Sequence, residues 1–151
     1  NRGAYPNVWA IVDGTPAAAT IHYIDESVDT GEIIDQSKVK ISPNDTGETL
    51  YRKLESACID LFADSWPKIA RSPGKLTTTK QLPSEGTSNL VKDTEKIDRI
   101  GLDSQYTAGE LINIIRARTF AGHSGAYFEQ DGIKYFLRIE IEKETNQNDN
   151  Q

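Results

Sequence analysis

The sequence predicts an α/β fold, and three stretches carry that prediction. A pair of β-branched segments occupies 17–24 and 32–41, an amphipathic helical pattern starts at 45, and a strand–turn–strand pattern covers 126–141. The 151 residues, 36% of them hydrophobic, suffice for one ordinary domain. A domain of that size buries roughly two-thirds of the surface its unfolded chain exposes. No apolar run approaches the roughly 20 residues that a membrane helix needs, so no membrane partner is expected. The single Cys excludes a disulfide scaffold and fits a reducing, cytoplasmic compartment. Seventeen Lys+Arg against 23 Asp+Glu leave a net charge of -6, a poor balance for releasing counterions from a phosphate backbone. Nucleic acid is therefore not the expected partner. There is no Met and the chain opens at Asn1, so it is read as part of a longer polypeptide.

Gly3 and Pro6 punctuate the opening, and Pro6 suits the first turn of a short helix over the apolar run Val8–Val12. Asp13-Gly14-Thr15-Pro16 closes that element. Ala17 to Ile24 reads as a strand, through Thr20, Ile21, Tyr23 and Ile24. The polar stretch Asp25 to Gly31 is a loop, and a second strand follows from Glu32 to Ile41, where Val39 and Ile41 alternate with lysines. Asp45 as N-cap with Glu48 three residues on predicts a helix start. Leu50, Leu54, Ala57, Cys58, Leu61 and Phe62 then form one apolar face. Trp66-Pro67 is expected to kink or end that helix, because proline removes a helical hydrogen bond. Arg71 to Asn89 turns rich in Thr, Pro, Gly and Ser and reads as a surface connection with a short strand at Thr77–Gln81. Asp93 to Ile100 accommodates one or two helical turns. Thr107 and Glu110 repeat the capping pattern before Leu111, Ile114 and Ile115. Strands at Ala126–Gln130 and Ile133–Ile141 are joined by Asp131-Gly132, a strong hairpin signal. Residues 142–151 are nearly all polar and are expected to be disordered.

No Gly-rich phosphate loop, metal-spaced Cys or His pair, or nucleophile elbow is present in this sequence. What remains is a strand that ends in a carboxylate-dense loop with Asp25, Glu26 and Asp29, closed by Gly31. Open α/β sheets place ligands at such strand ends, where a carboxylate can move a proton. From composition and pattern alone, a solvated turn is the better reading.

The segments Arg2-Gly3-Ala4-Tyr5-Pro6-Asn7-Val8-Trp9, Thr20-Ile21-His22-Tyr23-Ile24-Asp25-Glu26 and Val28-Asp29-Thr30-Gly31-Glu32 change that balance. Together with Thr46–Tyr51, Trp66-Pro67, Tyr106–Asn113 and Gly125–Glu129, they resemble the 10-formyltetrahydrofolate-dependent formyltransferases. That family includes methionyl-tRNA formyltransferase and the sugar N-formyltransferases, and the run from Tyr106 to Phe128 is more similar to the sugar enzymes. The resemblance implies the rear half of a Rossmann-like formyltransferase domain with a mixed sheet over 1–104. A small helix–hairpin subdomain would follow over 105–141, and a polar tail over 142–151.

The family's catalytic set is an Asn-x-His pair and an Asp in an Asp-Thr-Gly motif, so the resemblance makes Asp29 the catalytic carboxylate. Its Asn and His belong just upstream of Arg2, in a partner half outside this sequence. Neither Asn1 nor His22 replaces them: packing or a hydrogen bond is the expectation for His22, and His123 has only a weak claim. Asp25, Thr30 and Gly31 are assigned to binding of the co-substrate, 10-formyltetrahydrofolate, with no metal. The implied acceptor is the amino group of a nucleotide-linked amino sugar. Arg116, Arg118 and Lys134 are its candidate pyrophosphate contacts, and Tyr127, Tyr135 or Phe136 could stack on the base, although each of these more often packs a core or faces water. The hairpin edge suggests a homodimer. Without its upstream half, the piece is expected to be inactive. Alternatives are a methionyl-tRNA or small-metabolite acceptor, or a non-catalytic dimerisation or binding remnant. Ala18-Ala19, Ser27, Asn89 and Ala121-Gly122-His123 depart from the family pattern and bear on substrate identity.

Overall fold

Pro6, with no N–H to lose, opens the first helix, and Tyr5 before it turns the chain in the left-handed region at φ 54°. The computed structural model describes residues 2–82 and 86–144. In chain order it contains β1 (Arg2–Gly3), α1 (Pro6–Val12), β2 (Ala17–His22), β3 (Ile33–Val39), α2 (Gly47–Arg71) and β4 (Ser88–Asn89). A single 3-10 turn (Val91–Thr94) leads into α3 (Glu95–Asp98), α4 (Ala108–Ala117), β5 (Tyr127–Gln130) and β6 (Ile133–Phe136). Strand pairing is mixed: β1 lies parallel to β4, while β2–β3 and β5–β6 are antiparallel. This is the α/β architecture expected from the sequence, with β2, β3, β5 and β6 each somewhat shorter than its apolar pattern and the β1–β4 pair not foreseen.

The β2–β3 ladder runs in register from Ala17↔Val39 to Ile21↔Asp35 and then jumps to His22↔Ile33. Ile34 is thus an extra residue, a bulge that re-aims His22 at the end of its strand. Below this ladder packs α2, and α1 packs against α4. The core lies between these layers, built from Val8, Ala10, Ile11, Ala17, Leu50 and Ala117, with Val39, Ile41 and Leu54 at its margin.

Three expectations about α2 are corrected. Thr46, not Asp45, caps α2: its hydroxyl accepts from the Thr49 N–H, and the Thr49 hydroxyl accepts from the Thr46 N–H. The side chain of Asp45 is turned inward instead, where it accepts from the Ser42 N–H, the Thr49 hydroxyl and the Lys53 ammonium. Second, of the two outcomes expected at Pro67, an end is overturned: α2 continues through it to Arg71. The carbonyl that Pro67 leaves without its helical donor belongs to the exposed Ala63, where water can satisfy it. Third, the inward stripe of α2 is narrower than predicted. Leu50, Leu54, Ala57 and Leu61 face the sheet, but Cys58 and Phe62 are exposed because a two-stranded ladder covers only part of the helix.

The hairpin turn forms as expected, with Asp131 and Gly132 at φ 53° and 76°. Its second strand stops at Phe136 rather than Ile141. Thr79 makes an isolated bridge to Ile33 in place of the strand expected at 77–81. Of the polar tail, 142–144 have no regular structure and 145–151 lie outside the described residues. No helix among the described residues is long and apolar enough to cross a membrane.

Candidate active site

The loop between β2 and β3 is drawn tight at its base. The Tyr23 N–H donates to the Glu32 carbonyl at 3.0 Å, and a Cβ on Gly31 would lie 1.6 Å from the Tyr23 oxygen, so only glycine fits there. Inside the loop, Asp25 Oδ1 accepts from the Thr30 hydroxyl at 2.6 Å and from the Ser27 N–H at 3.0 Å. Those hydrogen bonds, the one from Thr30 above all, hold the Asp25 carboxyl below its ordinary pKa. Asp25 and Thr30 thus bind each other and shape the turn.

Asp29 sits at the turn's far side in the left-handed region, φ 56°. One oxygen, Oδ2, accepts from the Gly3 N–H at 3.2 Å. The other, Oδ1, stands 3.7 Å from His22 Nε2. The opposite ring nitrogen, Nδ1, is 2.8 Å from the Tyr23 carbonyl, which can only accept, so Nδ1 carries a proton. Nε2 therefore meets Asp29 as a lone pair in the neutral ring and as a donor in the charged one. The His22 side chain is 25% exposed and that of Asp29 47%, so the pair is half-open to solvent and to substrate.

Asp29 and His22 share a cavity of about 560 Å³ with Arg2, Thr20, Lys38 and Gln81, among others. The volume lies within the range of small-molecule sites. Its cations suit an anionic substrate. Two wall residues, Arg2 and Gln81, have no place among the sequence-based candidates: Arg2 opens a segment that carries the resemblance but is given no role by it, and nothing local sets Gln81 apart from the connection around it. No three His, Cys, Asp or Glu side chains among the described residues gather as a metal site.

Asp25, Asp29, Thr30 and Gly31 share one loop, of which only Asp29 lines the cavity, and the other four candidates lie elsewhere. Arg116 is 8% exposed and donates to Asn113 Oδ1 and to the Ser42 and Asp45 carbonyls, tying α4 to the start of α2. Arg118 pairs with Asp98, with Nη2 3.0 Å from Oδ2. Lys134 lies 4.4 Å above the Tyr127 ring on the hairpin. None of these four lines the cavity of Asp29. Arg118 instead borders a separate groove of about 930 Å³, together with Tyr5, Tyr51, Phe120 and His123.

In sequence and fold the chain is similar to known formyltransferases. A family model described as formyl transferase matches residues 1–64, and one described as the N-formyltransferase dimerization C-terminal domain matches residues 93–143. The dTDP-4-amino-4,6-dideoxyglucose formyltransferase of Mycobacterium tuberculosis is 34% identical over 145 residues, covering 95% of this chain and 61% of that protein. The crystal structure of a 4-N formyltransferase from Francisella tularensis superimposes with a TM-score of 0.87 at 34% identity, over 95% of this chain and 58% of that one. A formyltransferase of Anoxybacillus kamchatkensis, solved with UDP-4,6-dideoxy-4-formamido-L-AltNAc and tetrahydrofolate, is 43% identical over 64% of this chain and 49% of its own, with a TM-score of 0.58. The chain spans about three-fifths of the length of the curated relatives it matches.

Proposed function

Starting from the fact that this chain belongs to the formyltransferase family, we propose that it serves transfer of a formyl group from 10-formyltetrahydrofolate to the amino group of a nucleotide-linked amino sugar. The observation that carries the proposal is the Asp29 carboxylate, aimed into a cavity beside His22 and steadied by the Gly3 N–H. The folate supplies the one-carbon unit. An amine that attacks a formyl carbon must lose a proton, and a carboxylate held at the cavity wall is placed to take it. His22, fixed by its bond to the Tyr23 carbonyl, stands beside the Asp29 carboxylate at the cavity wall. Arg2, Lys38 and Lys80 on the same walls supply positive charge, and folate and nucleotide sugars are both anions. Asp25, Thr30 and Gly31 form the turn against which the folate lies.

The sugar acceptor is favoured over tRNA because the similarity to the M. tuberculosis protein, whose name specifies a dTDP-amino sugar, extends over 95% of the chain. The same proposal divides the chain into a catalytic part, 1–104, and a helix–hairpin part, 105–141. The second part would join two copies of the protein in the cytoplasm, as the name of the matching C-terminal model suggests. Lys134 and Tyr127 then belong to that subdomain and reach the acceptor only if it docks there.

Asp29→Asn in the complete protein tests this reading. Formyl transfer to a dTDP-linked amino sugar is expected to fall by at least about 1,000-fold, some 4 kcal/mol of barrier, with an unchanged melting temperature. Turnover near that of the wild type overturns the role of Asp29.

A further inference from the structure

Few non-glycine residues adopt the left-handed region, and Asp29, with φ at 56°, is held there by its surroundings. Gly3 and Thr30 act on carboxylates at the loop surface. One side chain grips the backbone itself. Gln81 Nε2 donates to the Asp29 carbonyl at 3.1 Å and to the Gly31 carbonyl at 2.6 Å, bracketing Thr30 from a position 52 residues beyond Asp29. Gln81 Oε1 accepts from Arg2 Nη2 at 3.1 Å. Arg2 is covalently joined to Gly3, whose N–H donates to the Asp29 carboxylate, so the four residues close a ring around the catalytic turn.

The partners also fix which way the amide of Gln81 points. Turned over, it would set its oxygen against two carbonyl oxygens and its NH2 against a guanidinium, neither of which can pair. The segment that carries it is anchored two residues earlier, where Thr79 and Ile33 exchange both backbone hydrogen bonds at 2.8 Å. On the opposite side, a Cβ on Gly86 would lie 3.0 Å from the Arg2 guanidinium, so the chain closes over the outer member of the ring.

We propose that Gln81 is a positioning residue: its amide holds the Asp29–Gly31 backbone in the conformation that points the Asp29 carboxylate into the cavity. The proposal rests on the catalytic reading of Asp29 and deepens it. Without the two bonds from Nε2, the turn relaxes toward ordinary backbone angles and the carboxylate leaves its place. Displacements of about 1 Å in a reacting group cost up to about 100-fold in rate while leaving substrate contacts in place.

The test uses Gln81→Glu in the complete protein. This change keeps the shape of the side chain and its acceptor but removes the NH2. The expected result is a kcat lowered by about 30- to 100-fold, with KM for donor and acceptor within about threefold of the wild type. Added to Asp29→Asn, the same change is expected to cost nothing further, because it acts only through that carboxylate. The amide proton of Gly3, which reports its bond to Asp29, is expected to shift upfield in the Gln81→Glu spectrum. A kcat within threefold of the wild type, a loss that multiplies with that of Asp29→Asn, or a melting temperature lowered by more than about 10 °C overturns the positioning role. Should the wild-type protein transfer no formyl group, the catalytic reading of Asp29 fails. The Gly3 amide then decides for Gln81 alone, and an unmoved resonance overturns it.

Discussion

Asp45 shows how far one residue's work can differ from its place in a pattern. It is 4% exposed. Burial opposes its charge, yet the Lys53 ammonium, the Ser42 N–H and the Thr49 hydroxyl outweigh that penalty and keep its carboxyl below the ordinary value of 3.8. A carboxylate whose folded pKa is depressed adds stability that is fully present above the unfolded value, and that stability is lost as pH falls through the folded one. Asp45→Asn is therefore expected to destabilise the protein at pH 7 by about 1–2 kcal/mol, a figure reduced for the half-exposed Lys53. The deficit should begin to shrink below about pH 4, where the unfolded chain takes up its proton, and shrink further as pH falls toward the depressed folded value. Urea unfolding of both proteins at pH 7 and pH 3 checks this, and an equal difference at the two pH values would refute it. Asp29 differs in kind: it was legible through its Asp-Thr-Gly motif, but its neighbours Gly3, His22 and Gln81 were not. They meet it only across the fold.

At the scale of elements, α2 is the best-specified piece of the chain and also the one most often misread at its ends. Thr46 and Asp45 are both good caps by chemistry, and the inward turn of Asp45 left the capping to Thr46. Thr46→Ala should cost about 1 kcal/mol by chemical denaturation, whereas Glu48→Ala, removed from the predicted box, should leave the cap itself intact. Glu48 has other work: its carboxylate accepts from the Ala121 N–H and pairs with Arg52, and these hold its pKa low. The helix passes through Pro67 because the lost bond faces water. Its partner stripe ends at Ser65, 1% exposed, whose hydroxyl donates to Asp35 Oδ2 at 2.7 Å. That contact locks the last turns of α2 to β3 through a polar residue that an apolar pattern cannot flag. The two-residue turn at Asp131-Gly132 and the box at Thr107 and Glu110 formed where the sequence placed them, since both depend only on neighbours within four residues.

For the whole molecule, the question is what the C-terminal hairpin does. Phe128 stacks on Tyr135 on one face, with ring centroids 5.1 Å apart, and Tyr127 meets Phe136 on the other. Ile133, Tyr135 and Phe136 are nevertheless 45–55% exposed, more apolar surface than a lone two-stranded ribbon can hide. If the hairpin joins two copies as proposed, Tyr135→Glu should convert a dimer into a monomer in sedimentation velocity at micromolar concentration. A dimer that persists in this variant would place the interface elsewhere.

Local patterns in this sequence determined the kinds of element, most of their order, and the carboxylate-dense loop between β2 and β3, because helix period, strand alternation, caps and tight turns arise between residues a few positions apart. Only the tertiary structure decided which side chains the Asp29 carboxylate would meet and which charged candidates would be used up within the fold. Arg116 went to the carbonyls at the start of α2, and Gln81 to the turn of Asp29. Such pairings join segments 50 to 71 residues apart through individual hydrogen bonds. A hydrogen bond needs only a donor and an acceptor in reach, so it leaves no period in the chain for a reader of sequence to find.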